Sequence, residues 1–397
     1  MRAWNLRSNI LAELELSKTL FGGLLISSLL RTIGLGAITL FLPIYIYKLG
    51  GLYFVVAYVL ISRFVQTACG YWIGKTIAKI GLRRSVVISE VLLSVSLLLF
   101  KGAEQLSWFL WLGAVIVPFA IEFYWIPYHL MFVRNKSREF GKDAGILAVV
   151  SRWGGVLGPL LGGLMVGSLG FGGLFNWGVI FVLISSLSIF LVPQKELNWE
   201  FHLESFERKI SGMWFRKDLL AYVGYGIESV MYDFFWPVFL FVVLGKSHIL
   251  LGNFKTAVLL VSSILFLFVG RSMDHEKMSK WTKFAMVAMA IIWVLRGVLR
   301  FGSGLWVLDI LDGWIGVFVF LPFEVYGYRR ARVADSALYV VEREVSDSLG
   351  RFLGAGIVGL FYWWGWEWNA MVYVGILGLS MMLFLPREEA KLLREVS

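Results

Sequence analysis

The sequence predicts an all-α polytopic membrane protein of twelve transmembrane helices, arranged as two pseudo-symmetric bundles of six. Three observations predict this fold class. The 397-residue chain is 58% hydrophobic and only 16% charged, whereas soluble domains carry about 25% charged residues. Apolar runs long enough to cross a bilayer as helices recur along nearly the whole chain, and its mean hydropathy is +0.75. Finally, several patterns of the first half return in the second.

The apolar runs place the predicted spans in order along the chain. Turn signals are too few and period-two alternation is too weak for a β-barrel, so the backbone must satisfy its hydrogen bonds within helices. The predicted spans are 19–43, 51–74, 84–101, 107–133, 145–168, 172–192, 219–244, 247–270, 283–300, 304–327, 337–363 and 370–386.

Basic residues set the expected orientation. They concentrate in the segments that this count places on the same side as both termini, and the opposite segments hold only Lys48, Lys101, Lys246 and Arg300. Because basic loops stay cytoplasmic, we expect a multi-pass protein of the cell membrane with both termini in the cytoplasm. The same topology accounts for the net charge of +10, so nucleic acid is not an expected partner.

Cysteine and histidine content indicates neither a disulfide nor a metal centre. Cys69 is the single cysteine, and the four histidines are scattered without the spacing of metal ligands. We therefore predict no metal and no cofactor.

The longest polar stretch divides the chain. Residues 193–218 are predicted to form a cytoplasmic linker between an N-terminal bundle, 19–192, and a C-terminal bundle, 219–386. Mixed charge and spaced apolar residues in 1–18 indicate a retained interfacial segment rather than a signal peptide. Residues 387–397 are the expected cytoplasmic tail.

The internal repeat pairs each helix with the sixth helix after it. LPIYIYKLG at 42–50 is echoed by WPVFLFVVLG at 236–245, and the proline-to-arginine spacing of Pro127 and Arg134 is repeated by Pro322 and Arg329. Six is an even number of crossings, so the copies share their orientation, as in two-lobed transporters that rock about a midplane site. The alternative is that aromatic-rich helix ends simply form an interfacial belt.

The loop GKTIAKIGLRR, residues 74–84, is similar to a loop signature of the major facilitator superfamily. Gly74, Lys79, Gly81, Arg83 and Arg84 fit it, and Ala78 occupies its acidic position. In the second copy, Asp274 falls at the equivalent place. The resemblance implies a latch on the cytoplasmic side; the alternative is a basic loop that only orients the chain.

The fifth predicted span, GILAVVSRWGGVLGPLLGG at 145–163, resembles the antiporter motif of the same superfamily, which is typical of exporters. Small residues four apart let helix backbones approach closely, and a proline removes a helical hydrogen bond. Ordinary helix packing is the alternative. The residues that carry the resemblance are Gly145, Gly154, Gly158, Pro159, Gly162 and Gly163.

Charges inside the spans are the candidate functional groups, because each buried ion costs about 3 kcal/mol or more unless it is paired or hydrated. Cations and anions balance in number, which suggests internal pairs and a wet cavity. The cations are Arg31, Arg63, Arg152, Lys255, Arg296 and Arg351, and the anions are Glu90, Glu122, Glu228, Asp233, Asp309 and Asp312.

The resemblance implies that helices 1, 4, 7 and 10 line the cavity, which selects Arg31, Glu122, Glu228, Asp233, Asp309 and Asp312 as candidates for proton coupling or substrate binding. A carboxylate there can change protonation as the cavity meets each side in turn; static ion pairs that fix helix register are the alternative. Glu90, Arg152, Lys255 and Arg351 are interpreted as structural. Trp125, Tyr128, Tyr232 and Trp236 are candidate cavity aromatics for amphipathic or sugar-like substrates.

These observations leave three classes of function. The first is a monomeric secondary transporter that exports a small amphipathic molecule against proton entry, with proton-coupled uptake of a sugar, peptide or organic ion as its variant. The second is a membrane sensor or scaffold that kept the fold without transport. The third is an enzyme, for which the sequence offers no nucleotide-binding glycine loop, catalytic triad or metal constellation.

Overall fold

The structure, a computed structural model, describes residues 2–133, 140–188, 190, 216–271, 278–299, 303–333, 336–366 and 368–385. These residues form α-helices joined by short turns. In chain order the α-helices are α1 Arg2–Ile80, α2 Leu82–Gly102, α3 Trp108–Val133, α4 Phe140–Ser188, α5 Lys217–Val230, α6 Trp236–Val243, α7 His248–Arg271, α8 Met278–Val298, α9 Ser303–Val333, α10 Ser336–Trp363, α11 Trp368–Val372 and α12 Val374–Met382. The predicted all-α fold class is confirmed.

Two long helices are broken at glycines. In α1 the backbone leaves the helical region at Gly50 and Gly51, where Gly51 has φ +68°, and in α4 it does so at Gly170, with φ +69°. Positive φ is readily adopted only by glycine. The first predicted span therefore continues past Pro43 to the glycine pair, and α1 and α4 each cover two predicted spans.

A π-helical turn, Met231–Phe235, joins α5 to α6. α6 begins with Pro237 in its first turn and is followed by Gly245, with φ +68°. The second copy of the Leu-Gly pattern thus ends at a glycine with positive φ, Gly245, whereas in the first copy the positive φ falls on Gly51, the residue after the pattern.

Seven helical stretches of the described residues are long and apolar enough to cross a membrane by themselves, and His248–Ser263 is a shorter apolar helix. Two of the seven include the glycine breaks. The total of twelve spans, the bundle and linker boundaries, and the interfacial role of 1–18 stay predictions; the linker lies almost wholly outside the described residues.

Helix packing brings the two predicted halves together. α1 packs on α10, and α4 packs on α7. At the second of these crossings the backbones touch, because a β-carbon added at Gly163 would lie 2.8 Å from the carbonyl oxygen of His248. Within the first half, a β-carbon at Gly158 would lie 2.6 Å from the backbone of Gly36. Gly158 and Gly163 of the fifth predicted span therefore lie at close helix crossings.

Large apolar side chains cover much of the outer surface. Phe284 is 68% exposed and Trp363 is 74% exposed. Exposed apolar area of this extent is unusual for a soluble monomer, and it fits a surface in contact with lipid.

Candidate functional site

A cavity of about 760 Å³ lies between the two predicted halves. Its wall includes side chains of α1, α3 and α4 from the first half and of α5, α7, α9 and α10 from the second. This volume falls within the range of small-molecule sites. The charged and aromatic groups around it form five sets.

The first set contains Arg31, which lines the cavity from α1. Arg31 forms a buried ion pair with Glu90 of α2, and its guanidinium lies 3.7 Å from the ring centroid of Tyr124. Glu90 also accepts a hydrogen bond of 3.2 Å from the Ser185 hydroxyl. Arg31 is thus held by a carboxylate and an aromatic face.

The second set connects a fully buried carboxyl to the cavity. Arg63 donates to Oε1 of Gln66, and Nε2 of Gln66 donates to Oε1 of Glu122 at 2.7 Å. Arginine has no acceptor, so the amide must present its oxygen to Arg63 and its N–H to Glu122. Arg63 and Gln66 line the cavity, and Glu122 lies behind them with 0% exposure. Gln66 therefore links the buried Glu122 to the cavity wall.

The third set places one arginine between two carboxylates. Arg351 donates to Asp233 at 2.8 Å and to Asp347 at 2.9 Å, and all three side chains line the cavity. Asp233 is contributed by the π-helical turn, and Arg351 by α10. The sequence interpretation made Arg351 structural; here it also contributes to the cavity wall.

The fourth set repeats this arrangement and links the two halves. Arg343 donates to Glu344 at 2.9 Å and to Glu324 at 3.4 Å. His129 of α3 places Nε2 3.4 Å from Glu344 and Nδ1 2.8 Å from the Tyr328 hydroxyl. These five side chains line the cavity and join α3 to α9 and α10.

The fifth set lies in the core of the second half. Asp309 accepts hydrogen bonds from Lys255 at 2.7 Å, from Arg296 at 2.7 Å and from the Trp236 indole at 2.9 Å. Asp312 lies 3.1 Å from the same arginine. Within the described part of the chain, Lys255 is the member of this set that reaches the cavity wall. Asp309, Asp312 and Trp236 therefore pack behind the wall rather than in it.

Glu228 of α5 differs from the other acidic residues. It is 1% exposed, and neither carboxyl oxygen has a hydrogen-bond partner among the described residues. A buried polar group without a partner is costly. This carboxyl is also absent from the described cavity wall.

Three of the four predicted aromatics, Trp125, Tyr128 and Tyr232, line the cavity. Trp125 stacks on His129 with 5.4 Å between ring centroids, and Lys255 lies 4.9 Å from the centroid of Tyr232. The cavity wall is therefore both charged and aromatic.

The 74–84 loop folds at the junction of α1 and α2. Gly74 and Lys79 belong to α1, and Gly81 separates the helices with φ +87°, which requires glycine. Arg83 and Arg84 begin α2, where the Arg83 guanidinium lies 4.3 Å from the ring centroid of Phe190. Asp274 lies outside the described residues, so the predicted latch stays a prediction.

Sequence reasoning missed four charged wall residues: Glu324, Arg343, Glu344 and Asp347. A signal existed, because Glu344, Asp347 and Arg351 are spaced three and four residues apart and therefore share one face of a helix.

Comparison with known proteins gives the fold. The human organic anion transporter MFSD10 (TETRAN) matches with a TM-score of 0.71 and 13% identity, over 92% of this chain and 99% of that chain. A single-residue variant of the E. coli fucose:proton symporter FucP matches with a TM-score of 0.67 and 11% identity, over 92% and 97% of the two chains. The major facilitator superfamily transporter FucP in its outward conformation matches with a TM-score of 0.66, 11% identity and the same coverage. No protein-family model and no curated protein sequence matches the chain.

These matches show that the chain has the fold of major facilitator superfamily transporters, as the sequence resemblance implied. At 11 to 13% identity they show the fold alone.

Proposed function

We propose that the protein is a secondary active transporter that exports a small amphipathic molecule by alternating access, with protons entering in exchange. The observation that carries the proposal is the cavity of about 760 Å³ between the two halves. A site shared by two pseudo-symmetric lobes can be exposed to either side by rocking one lobe against the other. The relatives by fold named above are described as an organic anion transporter and a proton symporter.

Proton coupling is assigned to buried carboxyl groups. Among the described residues, Glu228 has no hydrogen-bond partner and Gln66 is the one partner of Glu122. An isolated buried charge is expensive, so a carboxyl in such a place can take up a proton on one side and release it on the other. Asp233 is the candidate that faces the cavity itself.

Export is favoured over uptake by the glycine and proline pattern of the fifth predicted span. Proton-coupled uptake uses the same cavity and carboxyl groups and is the second candidate. A sensor or scaffold without transport is the third. We further propose a monomer in the cell membrane with cytoplasmic termini, as the basic loops indicate.

The test is reconstitution of the purified full-length protein in lipid vesicles with an imposed pH gradient. A solute panel is first screened for thermal stabilisation of the protein, and the stabilising solutes are then assayed for flux. Solute movement that depends on the gradient and on the protein supports the proposal, and its direction separates export from uptake. Stabilisation without flux indicates a sensor instead. Protein-free vesicles and a gradient collapsed with a protonophore are the controls.

A further inference from the structure

Among the paired charged side chains of the cavity wall, the carboxylates are more exposed than the guanidinium groups. The side chains of Asp233 and Glu324 are 34% and 33% exposed, whereas their partners Arg351 and Arg343 are 14% and 5% exposed. The guanidinium groups lie behind, each held between two carboxylates. A molecule in the cavity therefore meets acidic oxygen atoms before it meets these arginines.

The acidic groups of this part of the wall also outnumber the cations. Three guanidinium groups, those of Arg63, Arg343 and Arg351, stand beside four carboxylates, Asp233, Asp347, Glu324 and Glu344. All four of these carboxylates pair with Arg343 or Arg351. Lys255 and Arg31 also line the wall and form ion pairs, with Asp309 and Glu90, and their side chains are 6% and 7% exposed. They add no uncompensated positive charge to the surface of the cavity.

Aromatic rings form the neighbouring wall. Phe234 and Tyr232 flank Asp233 in the π-helical turn, and Tyr225 lines the same side of the cavity. Tyr58 lies opposite, with its ring centroid 6.0 Å from that of Phe234. Tyr58 is 1% exposed. Aromatic faces attract cations, and their area suits an apolar molecular body.

We propose that the substrate of this cavity is an amphipathic organic cation, with its charged centre against Asp233 and Glu324 and its apolar body between the aromatic rings. This inference rests on the proposed function, because it takes the cavity as the substrate site. The opposite assignment is an organic anion held by Arg63, which lines the cavity and has no carboxylate within 4 Å in the part of the chain that the structure describes.

Two ions of nearly the same shape and opposite charge separate these assignments. Binding of tetraphenylphosphonium and of tetraphenylborate is measured by equilibrium dialysis at pH 8 with full-length protein in detergent micelles, and protein-free micelles give the blank. Saturable binding of tetraphenylphosphonium, with none for tetraphenylborate, is the expected result.

The wall carboxylates are then removed one at a time. In Asp233→Asn the arginine keeps Asp347, and in Glu324→Gln the other arginine keeps Glu344, so neither variant leaves a buried cation unpaired. Each should weaken tetraphenylphosphonium binding about tenfold, as expected for loss of one interaction with a charged group. Glu104→Gln, at an exposed carboxylate in the turn after α2, is the matched control and should bind like the wild type.

The inference would be overturned if the protein preferred tetraphenylborate, or if it bound tetraphenylborate and lost that binding in Arg63→Gln. Absence of saturable tetraphenylphosphonium binding would overturn it as well. Equilibrium binding needs no transport. Binding of the cation without flux would therefore refute the proposed function and support the ligand class. Gradient-driven flux of a solute that is not a cation would support the proposed function and refute the ligand class.

Discussion

Asp309 is the residue whose neutralisation should cost the most stability. Its carboxylate contacts Lys255 and Arg296, each at 2.7 Å, and all three residues are at most 5% exposed. In Asp309→Asn the arginine keeps Asp312 at 3.1 Å, but the described residues offer Lys255 no other carboxylate within 4 Å. Breaking a buried ion pair by removing one partner costs about 3–5 kcal/mol. We expect the free energy of unfolding to fall by that amount.

The assay is reversible unfolding of the detergent-solubilised protein, followed by tryptophan fluorescence. Asp233→Asn is the control, because its arginine keeps a second carboxylate and its side chain is 34% exposed; a loss of about 1 kcal/mol or less is expected. The double variant Asp309→Asn with Lys255→Met should be more stable than Asp309→Asn alone, since neutral replacement of a buried pair is often nearly neutral. Wild-type stability of Asp309→Asn, or additive losses in the double variant, would refute this reasoning.

Three further outcomes are expected. Gradient-driven flux should be lost or uncoupled in at least one of Glu122→Gln, Glu228→Gln and Asp233→Asn; coupled transport in all three would end the proton-coupling proposal. Gly158→Ala should destabilise the protein by about 1–3 kcal/mol, because the added β-carbon overpacks against Gly36. Gly155→Ala should be neutral or stabilising, because a β-carbon there has nothing within 4 Å. Equal melting temperatures for the two variants would contradict the close helix crossing. Gln66→Leu should shift the pH profile of flux, because it disconnects the buried Glu122 from Arg63, and an unshifted profile with reduced rate would indicate a merely structural amide.

The fold was predictable because its signals are local. Apolar run length identifies the spans, and Gly51 and Gly170 mark breaks where the positive φ favours glycine. The all-α fold class therefore follows from composition and run length, without knowledge of which helices pack together.

The site was only partly predictable, because the facing direction of a side chain depends on helix rotation and on partners distant in the chain. Tyr232 and Trp236 are four residues apart, a spacing that places side chains on one face of an α-helix. The π-helical turn between them changes that register, so Tyr232 lines the cavity while Trp236 donates to Asp309. Likewise, the hydrogen bond from Gln66 to Glu122 joins α1 to α3, and no sequence spacing predicts it.

The arginines that each hold two carboxylates have a consequence for how such a protein can diversify. Either acid of a pair can be exchanged while the guanidinium stays neutralised, so the fold tolerates a change in the charge presented to a ligand. Ligand specificity can then change by single substitutions without an unstable intermediate variant. The second carboxylate keeps the arginine paired while the first one is replaced.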